Sequence, residues 1–408
     1  MQTITGKPEA VAIPISSVSK GTRLPAALWA LTIAAFGIGT TEFVIVGLLP
    51  TVAEDLAITI PSAGLLVSLY AMGVAVGAPI LTALTSRIPR KTLLISLMAL
   101  FILGNGLASI APGFYTLVLA RIVTGFAHGV FFAVGATIAA AMVAPEKRAT
   151  AIAIMFAGLT LAIVTGVPLG TFIGQHFGWR ATFIGVALLG VVGLIASAAL
   201  VPNNLKNNES ATLTDQLKVL ANKRLLLAFL MTALGYGGTF VAFTYLSPIL
   251  QEVTGLGESA VSLILLLYGI AIAIGNLAGG KAANKNPLKA LLWMFVLQAV
   301  VLLIFTFTAH DKVWSIVTLF ALGGLSFANV PGLQLYVVQV AEKYLPGTED
   351  VASAFNIAAF NIGIAIGAYV GGLVVVSPLG LEATPWVGAL FVLLAVLVTL
   401  YSARISRR

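Results

Sequence analysis

The 408-residue chain is 59% hydrophobic and only 9% charged, with a formal net charge of +8, three histidines and no cysteine. Soluble domains carry about a quarter charged residues, so this composition and a mean hydropathy of +1.06 exclude a water-soluble globular protein. Without cysteine, disulfides and thiolate metal sites are excluded as well.

In chain order, residues 1–24 read as a short cytoplasmic tail. Apolar runs of about twenty residues then recur, each long enough to cross a bilayer as a helix. Breaks at charges, proline and glycine give twelve predicted spans: 26–49, 62–85, 92–111, 115–142, 149–173, 181–201, 225–250, 259–280, 288–309, 313–340, 351–375 and 385–403. The first run ends at Pro50 and an acidic loop rather than a small-residue cleavage site, so it is read as a helix and not a signal peptide. The polar stretch "VPNNLKNNESATLTDQLKVLANKR" bisects the chain. It divides a six-helix bundle over 25–201 from a second over 225–403, with 202–224 a cytoplasmic linker and 404–408 a cytoplasmic C-terminal tail. With the N-terminus cytoplasmic, nineteen of the 22 lysines and arginines fall on the cytoplasmic side; Arg180 and Lys312 fall outside and Arg121 lies within a span. That asymmetry sets the orientation. It also accounts for the basic excess without any nucleic-acid partner.

The two bundles are similar to each other. "LYAMGVAVG" at 69–77 aligns without gaps with "LYGIAIAIG" at 267–275, an offset of 198 that also relates Pro50 to Pro248. Gly166, Gly170 and Gly174 match Gly363, Gly367 and Gly371 at an offset of 197. An even number of spans in each copy makes these parallel repeats facing each other across the midplane, an architecture for alternating access. Gly158, Ala162, Gly166, Gly170 and Gly174 form a small-residue stripe that lets helices approach closely. Pro168 is expected to bend the fifth span.

Apart from tyrosines, three ionisable groups lie well inside spans, all in the first half: Glu42, Arg121 and His128. At the repeat offset they align with Phe240, Leu319 and Ser326, so the halves have diverged in chemistry. Glu42 and Arg121 lie at similar predicted depth, and His128 is two turns beyond Arg121 on one helix face. Intramembrane charges mark proton paths or substrate sites. The set is therefore read as a proton-coupling site with Glu42 opposite Arg121, against the alternative of a structural ion pair. Thr40 and Thr41 beside Glu42, and Phe132 beyond His128, are expected to line the cavity. In the second half Tyr236, Thr239, Phe240 and Phe243 are predicted to form an aromatic wall, with Asn329, Gln334, Asn356 and Asn361 as neutral polar candidates. Asn356 and Asn361 are five residues apart and are not expected to serve one site. No metal spacing, nucleophile elbow or phosphate loop is present, which disfavours an enzyme and a nucleotide-driven pump.

Several stretches carry a family resemblance: "TTEFVIVGLLP", "SRIPRK", "LARIVTGFAHG", "GLTLAIVTGVPLG" and "GWRATF". The chain resembles a major facilitator superfamily transporter of the twelve-helix drug:proton antiporter and sugar-efflux branch, over residues 25–403. The resemblance implies an all-helical membrane fold of two pseudo-symmetric six-helix bundles. It puts the family's fourth-helix arginine, implicated in proton coupling, on Arg121 and its glycine on Gly125. The fifth-helix antiporter motif falls on Gly158, Gly166, Pro168 and Gly170, which implies export. In the loop after the second span Arg87, Arg90 and Lys91 match, but Ser86 replaces the usual aspartate and Pro89 the usual glycine. The expectation is a monomeric, inner-membrane efflux antiporter of small neutral or weakly cationic amphipathic molecules, as in multidrug resistance. The proton gradient would be its energy source, with no cofactor or metal. Sugar or nucleoside efflux is the alternative; a non-transporting sensor is disfavoured because no sizeable soluble domain exists.

Overall fold

The computed structural model describes residues 25–85, 88–143, 148–203, 213–283 and 286–406. Every regular element among the described residues is helical. The first half consists of α1 (Ala26–Asp55), α2 (Ile60–Leu84), α3 (Arg90–Ser109), α4 (Phe114–Ala141), a composite fifth span and α7 (Trp179–Leu200). The fifth span is α5 (Arg148–Leu161), a π-helical turn (Ala162–Gly166) and α6 (Val167–Phe177). A short helix, α8 (Leu213–Ala221), precedes the second half. There, α9 (Lys223–Phe243), α10 (Leu246–Pro248) and a π-helical turn (Ile249–Val253) make the seventh span. It is followed by α11 (Glu258–Ala283), α12 (Pro287–Thr308), α13 (Lys312–Tyr344), α14 (Glu349–Val376) and α15 (Thr384–Ser406).

Twelve of these helical stretches are long and apolar enough to cross a membrane. Hydrocarbon supplies no partner for a backbone amide or carbonyl, so each crossing must satisfy its own backbone as a helix. Polar caps fix several starts: Asn222 accepts from the Arg224 and Leu225 amides, and Asp311 from those of Val313 and Trp314. Two expected landmarks are corrected. Pro50 does not close the first span, because α1 continues through it to Asp55. Pro248 likewise sits inside the seventh span, which runs on through its π-helical turn to Val253. A proline removes one backbone bond; within a long apolar helix that loss does not outweigh burial of the next turn. The expected bend at Pro168 takes the form of the π-helical turn before it, whose wider ring accommodates the missing donor.

The halves are built alike. α2 packs along α4, and at the repeat offset α11 packs along α13. A Cβ placed on Gly125 would lie 2.6 Å from the Tyr70 carbonyl oxygen, and one on Gly323 2.8 Å from that of Tyr268. The glycine stripe of the fifth span lies along α1, with Gly158 against Thr32, Gly166 against Thr40, Gly170 against Val44 and Gly174 against Leu48. Between the halves, α2 meets α14, α11 meets the fifth span, and α1 meets α10. Ser68 donates to the Ala365 carbonyl at 2.9 Å and Ser262 to Gln175 at 2.9 Å. Tyr245 fills the space left by the missing side chain of Gly64 and donates to the Ala368 carbonyl at 2.9 Å. These contacts lie toward the end of the bundle opposite the start of α1 and the end of α15.

Candidate transport site

Four side chains meet at the centre of the first half: Glu42 from α1, Tyr70 from α2, and Arg121 and His128 from α4, all at most 8% exposed. The guanidinium does not pair with the Glu42 carboxylate, so the ion pair that the sequence left as the alternative is not formed. Its Nη1 donates to the Thr41 carbonyl at 2.5 Å, Nη2 to the Glu42 backbone carbonyl at 3.3 Å, and Nε to the Leu66 carbonyl at 3.3 Å. Its face rests 4.0 Å above the Tyr70 ring centroid, a cation–π contact. Arginine needs several acceptors in a fixed fork, and three carbonyls supply them.

The Glu42 carboxylate turns to His128 instead, with Oε2 at 3.9 Å from Nδ1. Helical side chains lean toward the N-terminus of their own helix. Because α1 and α4 run in opposite directions, Glu42 leans past Arg121 to the next turns of α4, where His128 stands. The same Nδ1 is 3.0 Å from the Tyr70 hydroxyl. One ring nitrogen thus faces both a hydrogen-bonded phenol and a carboxylate just beyond hydrogen-bond range. Phe132 packs on His128 at 5.0 Å between ring centroids and on Phe156 at 5.0 Å. The Thr40 hydroxyl donates to the Phe36 carbonyl beneath Gly166, and that of Thr41 to Asn105 Oδ1 at 2.6 Å. Both threonine hydroxyls are committed to the frame around Glu42.

Phe43, the residue after Glu42, reaches the second half, with centroids 6.2 Å from both Phe240 and Phe327. Tyr236, Phe240 and Phe243 do form the expected wall at successive centroid separations of 5.1 and 5.3 Å. Thr239 is not part of it: its hydroxyl accepts from Gln298 Nε2 at 2.7 Å. Asn329 donates to Gln298 Oε1. Gln334 pairs with Ser353, and Asn356 donates to Gln334 Oε1 while accepting from Thr232. A buried amide without partners is costly, and here neighbouring helices satisfy most of this polar capacity. Asn361 stands apart from that network, donating only to the Ile357 carbonyl and leaving its Oδ1 unpartnered. Gly158, Gly166 and Gly170 lay the fifth span against α1 on either side of Glu42, and Pro168 sits at the start of α6 just after the π-helical turn. Arg90 opens α3, whereas Ser86 and Arg87 lie outside the described residues.

Sequence reasoning missed Tyr70, which joins Arg121 to His128, because within "LYAMGVAVG" it counted only as a repeat landmark. It also missed Asn105 and Gln298. They lie in corresponding helices, though five residues out of register: Thr41 bonds Asn105 of the third span, and Thr239, at the repeat offset, bonds Gln298 of the ninth.

Comparison with known proteins agrees with this geometry. Residues 31–349 match the family model described as Major Facilitator Superfamily. The chain is 55% identical over 382 residues to the uncharacterized MFS-type transporter YtbD of Bacillus subtilis, covering 94% of this chain and 96% of that one. It is 42% identical to the inner membrane transport protein YdhP of Escherichia coli K12, covering 92% and 96%. A chloramphenicol resistance protein of Streptomyces lividans is 33% identical, covering 92% and 95%. In fold the chain is similar to a bacterial homolog of the human lysosomal transporter Spinster in an inward-facing, unoccupied conformation. That match has a TM-score of 0.72 at 15% identity, covering 93% of this chain and 96% of that one.

Proposed function

The chain belongs to the major facilitator superfamily, as a multi-pass membrane transporter rather than an enzyme, and from that premise we propose that it is a proton-coupled exporter of small neutral or weakly cationic amphipathic molecules. The observation that carries the reading is the buried Glu42 carboxylate 3.9 Å from His128 Nδ1, next to the Phe43 ring that touches the second half. In this mechanism Glu42 takes a proton when the site opens to the outside and gives it up when the halves rock the other way. His128 and Tyr70 pass or hold that proton, and Arg121 keeps α1, α2 and α4 in register. The excess of basic residues on one side supports a cytoplasmic placement of both termini, in a bacterial inner membrane. The efflux direction is supported by the resistance protein among the relatives.

The test is efflux from proteoliposomes under an imposed pH gradient, with chloramphenicol as first probe. Wild type should move the probe against its gradient. Glu42→Gln should abolish that uphill movement while leaving downhill exchange of the probe. Uphill transport by Glu42→Gln equal to wild type would overturn the assignment of Glu42.

A further inference from the structure

The second half repeats, in different chemistry, the contact that organises the first. At the offset of 198, Tyr70 corresponds to Tyr268 and His128 to Ser326. The backbone frame is the same, since Gly125 sits against the Tyr70 carbonyl and Gly323 against that of Tyr268. In the first half the phenol is bonded to the imidazole at 3.0 Å. In the second, the Tyr268 hydroxyl lies beside that of Ser326, and neither oxygen has a partner outside the pair. Tyr268 is 2% exposed and Ser326 is fully buried. Buried hydroxyls normally fill their hydrogen-bonding capacity, because what is left over carries a desolvation penalty. A pair with no partner but itself leaves one O–H donor and spare lone pairs for a third group.

Their surroundings say what kind. The Tyr268 ring stacks on Phe243 at 5.2 Å and 17° between planes, and Phe243 meets Phe240 edge-on. Phe327, next to Ser326, touches both Tyr236 and Phe43. Among the described residues the ring contacts of this cluster include no ionised side chain, and the polar atoms of Tyr236, Tyr268 and Ser326 are hydroxyls, which both donate and accept. The Glu42 carboxylate, one residue before Phe43, turns toward His128.

We propose that Tyr268 and Ser326 form the polar subsite for an uncharged aromatic substrate carrying hydroxyl groups, whose ring lies on the Phe240–Phe243 wall. This rests on the reading of the chain as an exporter and names the substrate class of that same site. The first half then handles the proton, and the second recognises the cargo by the same tyrosine position.

The test is equilibrium binding to the purified full-length protein in detergent, with no gradient present. The probes are chloramphenicol, its dideoxy analogue lacking both hydroxyls, and an aromatic quaternary ammonium. Wild type should bind chloramphenicol more tightly than either of the others. Tyr268→Phe and Ser326→Ala should each weaken chloramphenicol binding by about 2- to 13-fold. Both should leave the analogue's affinity unchanged, which shows at the same time that each variant is folded. Equal weakening of both probes, unchanged affinity for both, or preference of wild type for the ammonium compound would overturn the subsite. Because no proton gradient enters this measurement, loss of proton coupling would leave its outcome intact. Failure of the subsite would equally leave uphill efflux untouched.

Discussion

Arg121 spends its donors on backbone carbonyls of α1 and α2 and its face on Tyr70. It is therefore a brace between three helices before it is anything else. Tyr70 is bonded on two sides, by its ring to Arg121 and by its hydroxyl to His128, and the two roles are separable by mutation. Tyr70→Phe keeps the ring and deletes the hydroxyl; it should cost about 1 kcal/mol of stability and alter the pH profile of efflux. Tyr70→Leu also removes the cation–π contact and should lower stability by a further ~1–2 kcal/mol. Thermal unfolding and transport rate across pH, measured on both variants, check the separation. Glu42, Arg121 and His128 were legible in the sequence because charge in hydrocarbon is rare and therefore conspicuous. Their pairing was not legible. Depth arithmetic puts Glu42 level with Arg121, but the lean of a side chain along its helix carries the carboxylate to His128. Tyr70 was hidden for a different reason: a tyrosine in an apolar run has many uses, and only the fold shows which.

At the scale of elements, the glycine stripe of the fifth span decides how closely that span lies on α1. The least forgiving approach is at Gly158, where an added Cβ would overlap the Thr32 backbone carbonyl, an atom that cannot rotate away. Gly158→Val should therefore destabilise the protein by about 1–3 kcal/mol and displace α1, and with it Glu42. Gly185 on α7 faces open space, so Gly185→Ala should melt at the wild-type temperature or above. A comparison of the two melting temperatures checks the claim. The small-residue spacing announced this packing in advance, and Pro168 announced an irregularity. A π-helical turn as the form of that irregularity was not readable, since the choice depends on what α1 and α11 leave room for. The neutral amides show the same limit. Asn356 finds Thr232, which is 124 residues away in sequence, and no local pattern reveals that partner. Helical spacing puts Thr239 near the face of Tyr236, Phe240 and Phe243, but one helical step turns its hydroxyl toward Gln298.

At the scale of the whole molecule, twelve spans, two halves and their repeat are legible because hydrocarbon imposes one solution on every crossing. The repeat survives in detail, down to a threonine in the first helix of each half bonded to an amide in its third helix. Arg121 is braced by carbonyls, and among the described residues no carboxylate forms an ion pair with it. Its charge is balanced at a distance by Glu42 when that group is ionised, and uncovered when Glu42 is protonated. In the proposed cycle, exchange of one proton for an uncharged molecule moves one net charge across the membrane. The membrane voltage acts on that charge with about 2.3 kcal/mol per 100 mV. At equal pH on both sides, a potassium diffusion potential that is negative in the compartment from which the probe is pumped should by itself drive uphill export of a neutral probe. Reversing the potential should stop it. The transporter is, on this reading, an electrical device as much as a chemical one.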